Sequence, residues 1–155
     1  MKIAWDLDGV LCDIDLGLIR VIDNMTNPEA KYSAREWYFR ERKPLLDARL
    51  FLSPDDEFYI ITSRSHEFLD ITKKWVRYYY PNAKLITINQ KMMDCNQNDT
   101  ESIKKYVNSK IKLKAEIINK LGIDVYFEDD GVKLFRELCP NCAIIKYGGR
   151  LEVND

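Results

Sequence analysis

Asp6 and Asp8, two residues apart and followed at once by Gly9, close an apolar, strand-like run that begins at Lys2. The glycine lets the backbone leave the strand sharply, so two carboxylates are delivered to a strand tip, where open α/β sheets place their ligand crevice. Two other β-rich runs end in polar groups. Phe58 to Ile61 leads into Thr62-Ser63-Arg64, and Asp124 to Phe127 leads into Glu128-Asp129-Asp130-Gly131. Carboxylates from two separate strand ends make an oxygen-rich site for a hard cation, and Mg²⁺ commonly takes one or two of them while keeping positions for water and phosphate oxygens. A hydroxyl and backbone amides at the remaining tip would complement a phosphate. Such a site needs a fixed positive charge. Lys114 is the candidate, because Ile117, Ile118 and Leu121 follow it three, four and seven residues later and set it at the head of a buried helical stripe. Lys110 and Lys112 are its rivals, while Lys104, Lys105 and Lys120 read as a solvated face.

These groups converge only if the strands are parallel. Helical spacing of Leu18, Ile19, Ile22 and Met25 predicts a helix within Ile14 to Met25, which Asn27-Pro28 breaks. Glu29 to Leu52 is an aromatic and basic region, with Trp37, Tyr38 and Phe39 flanked by Arg35, Arg40 and Arg42, and Pro44 is placed to open a short helix through Leu50. After a turn at Ser53 to Asp56 and the second strand, Ser65 is a candidate N-cap for a helix striped by Phe68, Leu69, Thr72, Trp75, Val76 and Tyr79. Lys84 to Ile88 reads as a third strand. A polar, irregular segment follows from Asn89 to Thr100, then a lysine-rich helix stopped by Gly122, a helix over Val132 to Leu138, and a last strand over Ala143 to Tyr147. Alternating strands and helices predict a three-layer, Rossmann-like α/β fold, its mainly parallel sheet flanked by helices.

At 155 residues, 1–155 reads as one domain with a single sizeable core. A formal charge of −1 gives no global attraction to nucleic acid, and no uncharged apolar span reaches membrane length, so the expectation is a cytoplasmic protein with no membrane partner. Of the four cysteines only Cys139 and Cys142 are close, in Cys-Pro-Asn-Cys, without a second Cys/His pair to complete a zinc site; they read as reduced thiols in a turn. His66, the single histidine, reads as exposed or capping.

With its motifs in this order, the chain resembles the haloacid dehalogenase-like (HAD) superfamily of phosphohydrolases. The resemblance rests on WDLDGVL, IITSR, Lys114 before the fourth strand, and YFEDD. It implies a nucleophile at Asp6 and a general acid, later base, at Asp8. It further implies Mg²⁺ held by Asp6, the backbone carbonyl of Asp8 and Asp129, with Glu128 and Asp130 as second choices. Thr62, Ser63 and Lys114 would hold the transferring phosphoryl oxygens, and 13–56 would be a small helical cap inserted between the first and second motifs. An acid at Asp8 favours phosphatase or phosphomutase chemistry, since transport-ATPase relatives carry threonine there. The chain departs from the family where a further acid often follows the fourth motif; here stand Lys133 and Leu134.

Within the superfamily the appearance is closest to the 5'(3')-deoxyribonucleotidase branch. The expected substrate is therefore a small phosphate ester, a nucleoside monophosphate first, with Arg64, Trp37 and Arg40 as candidate contacts. Alternatives are a sugar-phosphate phosphatase, a phosphatase of nucleic acid ends using cap arginines and the Lys104 to Lys114 stretch, and a phosphate-binding module without turnover.

Overall fold

The computed structural model describes residues 1–88 and 99–148. The irregular segment expected over 89–100 lies, apart from its last two residues, outside the described residues. Five strands form one wholly parallel sheet: β1 (Lys2–Trp5), β2 (Glu57–Thr62), β3 (Lys84–Thr87), β4 (Val125–Glu128) and β5 (Ala143–Lys146), in the order β3-β2-β1-β4-β5. The order reverses direction at β1, so the β1/β4 boundary is the switch point at which such sheets open a crevice. β1 is followed by Asp6 and β4 ends in Glu128, one on each side of it.

Both faces of the sheet are covered, which is why its central strands are nearly continuous apolar runs. On one face Ala4, Tyr59, Ile61 and Tyr126 pack under α4 (Thr100–Leu121) and α5 (Val132–Leu138). On the other, Ile3, Trp5, Phe58 and Ile60 pack under α3 (Leu69–Tyr79) and against Leu11 and Ala48 from the segment between β1 and β2. Trp5 stacks on Phe127 across β1 and β4, with centroids 3.8 Å apart and planes within 7°. The three-layer Rossmann-like α/β architecture is thus as expected.

Between β1 and β2 lie α1 (Leu16–Asp23), α2 (Pro28–Arg40) and a 3₁₀ helix (Ala48–Phe51). The Asn27-Pro28 pair that ends the first helix also begins the next: Asn27 accepts from the Ala30 amide and Pro28 occupies the first turn, where its missing N–H costs nothing. Pro44 does not open a helix. The Leu45 amide donates to the Leu11 carbonyl and the Asp13 amide to that of Lys43, tying this segment to the loop after β1, and Asp47 caps the 3₁₀ helix instead. Ser65 likewise precedes a 3₁₀ turn (His66–Phe68) and makes no side-chain cap; α3 follows directly. Gly122 ends α4 in the left-handed region, as expected of a C-terminal glycine. Cys139 and Cys142 are free thiols in the turn between α5 and β5, and His66 is exposed. Among the described residues no helix is long and apolar enough to cross a membrane.

Candidate active site

The tips of β1 and β4 and the middle of α4 meet at the floor of a cleft of about 760 Å³. Lys114 is the hub. Its Nζ donates to Asp6 Oδ1 at 2.7 Å, to Glu128 Oε2 at 3.1 Å and to the Tyr126 hydroxyl oxygen at 3.2 Å. The Tyr126 hydroxyl in turn donates to Glu128 Oε2 at 2.7 Å. Tyr126 and Glu128 stand two residues apart on β4 and so share its face toward α4, where Ile111, Lys114, Ala115 and Ile118 form the buried stripe. The chain thus buries a lysine and supplies it with two carboxylates, as an ammonium removed from water requires.

Carboxylate oxygens of Asp6, Glu128 and Asp129 all lie within 4.8 Å of one another. Burial lifts the Asp6 carboxyl to about 8, with the neighbouring Glu128 adding to the rise and Lys114 opposing it. Burial also raises Glu128 and Asp129, whereas Lys114 is held above its ordinary value because its carboxylates outweigh the cost of its own desolvation. Three acids around one ammonium leave negative charge that a divalent cation would neutralise, and all the donors are hard oxygens, which suits magnesium. Of the three, Glu128 is already committed to Lys114, Tyr126 and the Asp129 amide. Asp129 lies against Gly9 at the cleft. Asp6 and Asp129 are therefore the acids best placed to bind a metal, with Glu128 steadying Lys114. Asp130 lines the cleft with one oxygen accepting from the Gly131 amide.

Asp8 faces a different partner. The guanidinium of Arg64 spans both its oxygens, and the Cys12 thiol donates to Oδ1 at 3.3 Å. Burial alone would lift the Asp8 carboxyl, but the charge and hydrogen bonds of Arg64, with help from Cys12, more than offset this and hold it below its ordinary value. Arg64 is itself fixed from behind by the Phe39 ring, 4.4 Å below its Cζ, and by Thr72. This corrects its expected place: Arg64 is buried and turned toward Asp8 instead of presented to a substrate. Thr62 is also buried, its hydroxyl oxygen accepting from the Arg64 amide at 3.2 Å, while Ser63 lines the cleft.

Of the rival lysines, Lys110 lines the cleft one turn above Lys114 and Lys112 is exposed. Trp37 and Arg40 are not among the residues that line the cleft; both sit on the surface of α2, where Arg40 meets Glu36 and Glu41. Tyr38 and Phe39 are packed inside, Tyr38 accepting from the Asp15 amide and Phe39 lying on Phe68. Sequence reasoning missed Tyr126 and the Arg64–Asp8 pair. The alternation that sets Tyr126 on the same face as Glu128 was available; no local pattern links residues 56 positions apart.

No family model matches the chain, and no curated protein matches it by sequence. Among solved structures it is similar to a HAD family enzyme from Bacteroides thetaiotaomicron, crystallised as an Asp-to-Ala mutant in complex with magnesium and inorganic phosphate. Identity is 13%, the match covers 99% of this chain and 96% of that one, and the TM-score is 0.51. The chain thus has the fold of a HAD family enzyme, over essentially its full length.

Proposed function

We propose that this protein is a Mg²⁺-dependent phosphomonoesterase that works through an aspartyl-phosphate on Asp6, with residues 13–56 as a small cap beside the cleft, in a cytoplasmic setting. The observation that carries this reading is the meeting of Asp6, Lys114, Glu128 and Asp129 at the sheet's switch point, from three distant parts of the chain. The similar enzyme from Bacteroides, which binds magnesium and inorganic phosphate, supports it.

Asp6 attacks phosphorus in line, and the bond to the ester oxygen breaks as the new bond to the carboxylate forms. Asp8, on the leaving-group side, takes up a proton from solvent as the anionic ester binds beside it, against the pull of Arg64, and gives it to the leaving oxygen; in the second half it takes a proton from water as that water attacks phosphorus, releasing phosphate and regenerating Asp6. Lys114 and the Ser63 region face the non-bridging oxygens, where a well-aimed donor is worth about 3 kcal/mol. Held by Asp6 and Asp129, magnesium would supply charge neutralisation that lets an anionic nucleophile approach an anionic phosphate.

The described lining offers no exposed aromatic ring on which a base could stack, so a compact phosphate ester is favoured over a nucleoside monophosphate. Arg35, Arg40 and Arg42 of the proposed cap are already ion-paired, with Asp23, with Glu36 and Glu41, and with Asp13, which speaks against a cationic track for nucleic acid ends. The test is a panel of p-nitrophenyl phosphate, alkyl phosphates, sugar phosphates and nucleoside monophosphates, each with Mg²⁺ and with EDTA. Turnover that needs Mg²⁺ and vanishes in Asp6→Asn is expected; a wild-type rate that is zero throughout leaves a binding module as the better reading.

A further inference from the structure

Lys114 is ion-paired with the acids at the floor of the cleft, whereas Lys110 has no ion pair among the described residues. It lies one helical turn nearer the start of α4 on the same side, where it lines the same cleft further from the floor. Lys110 is half-buried, and among the described residues no carboxylate lies within ion-pair distance of it; its Nζ sits 4.3 Å above the Tyr106 ring. The ring steadies the ammonium without neutralising it, since a cation–π contact at such a site is worth only about 1 kcal/mol. The nearby acids of the cleft wall have other partners: Asp13 accepts from the Lys43 amide and meets Arg42, and Asp130 accepts from the Gly131 amide.

Beside these paired acids, the part of the wall that α4 builds around Lys110 is aliphatic. Val107 and Ile111 flank it on α4, and Ile14 and Leu45 line the same cleft. Hydroxyls of a sugar pressed against such a wall would lose water without gaining partners, which is costly, whereas a short alkyl chain would not.

We propose that Lys110 binds a second anionic group of the substrate, so that the preferred ligands are compact phosphate esters with a short aliphatic body and a carboxylate or second phosphate at the far end. This rests on the reading that the scissile phosphate sits over Asp6 and Lys114 at the floor of the cleft.

The experiment reads binding, not turnover, and so is decided even if hydrolysis is never seen. Calorimetric titration of the full chain in Mg²⁺ uses three non-hydrolysable probes: 4-phosphonobutanoate, its neutral amide, and propane-1,3-bisphosphonate. The first is expected to bind about tenfold more tightly than the amide, the gain usual for one charge-assisted hydrogen bond, and Lys110→Met to bring the two within about threefold. The third probe shows whether the site takes phosphate as well as carboxylate. Equal affinity of acid and amide for the wild type overturns the proposal, as does a preference that survives in Lys110→Met. A loss of affinity for acid and amide by the same factor also overturns it, because Lys110 would then be a ligand of the first phosphate. Failure of the phosphatase reading shows separately, as absent p-nitrophenyl phosphate hydrolysis.

Discussion

Arg64 holds Asp8 by both carboxylate oxygens, Nη2 to Oδ1 at 2.7 Å and Nε to Oδ2 at 2.9 Å. Only 2% of the Arg64 side chain is exposed against 32% of Asp8, so the pair is a buried cation clamping an acid that still reaches the cleft. The clamp favours the charged carboxylate, the form that takes a proton from water, and fixes where its oxygens point. Arg64→Met is expected to lower kcat by about 100-fold, as a small misplacement of a reacting group does. It should also move the acid limb of the pH–rate profile upward, because the guanidinium that depresses the Asp8 carboxyl is gone. Stability should fall by about 3 kcal/mol, the low end for a broken buried pair, since Asp8 can recover some hydration. An acid limb that stays in place would show that Arg64 has no hold on the titration of Asp8.

That pair also marks where sequence legibility ended. Lys114 was legible because helical spacing places it on the same stripe as Ile118, and a lysine on a buried stripe demands an anion. The acids at positions 6 and 128 to 130 were legible because strand ends in a parallel sheet share an edge. Arg64 follows Thr62 and Ser63 at just such an end, which made it look like a contact for substrate. Its actual direction depends on how closely two loops approach and on the Phe39 ring beneath it, neither of which has a period. Pro44 failed for the same kind of reason: its propensity suits a helix start, and two backbone hydrogen bonds to the loop after β1 prevailed over it.

Gly9 has φ +84°, and a Cβ there would stand 2.3 Å from Asp129 Oδ2. Gly122 has a comparable φ of +65° with nothing within 4 Å of its would-be Cβ. The two glycines therefore separate backbone strain from loss of space. Gly9→Ala and Gly122→Ala should each lose about 1 to 2 kcal/mol of stability from the left-handed backbone. Only Gly9→Ala should also weaken Mg²⁺ binding, by tenfold or more, because Asp129 must move. Calorimetric titration of both variants with Mg²⁺ checks this, and equal affinities would remove Asp129 from the metal site.

Tyr126 touches no part of the cleft surface and is fully buried, yet its hydroxyl joins Glu128 to Lys114. Tyr126→Phe keeps the ring, which packs edge-on against Phe135, and removes only the bridge. Glu128 then loses its phenol donor in a dry site, a loss of about 1 to 3 kcal/mol in stability. If Glu128 steadies Lys114 against the transferring oxygens, kcat should drop about tenfold with KM little changed. A rise in KM at constant kcat would instead assign Lys114 to ground-state binding.

The raised Asp6 carboxyl ties stability to both pH and magnesium. Its value rises from 3.8 to about 8, chiefly through burial. A group whose folded value lies above its unfolded one stabilises fully below the unfolded value and loses that contribution as pH climbs through the folded one, because the buried charge must then be borne. Metal-free protein should therefore become less stable between about pH 4 and pH 8. Magnesium displaces the proton and binds the charged carboxylates, so its stabilisation should grow across the same window, reaching about 2.7 kcal/mol at a hundredfold excess over its Kd. Thermal melts in EDTA and in Mg²⁺ at about pH 5 and pH 8.5 measure both trends. Asp6→Asn should flatten the metal-free dependence and remove most of the magnesium shift. A wild-type magnesium shift of equal size at both pH values would mean that the ion binds elsewhere than at Asp6.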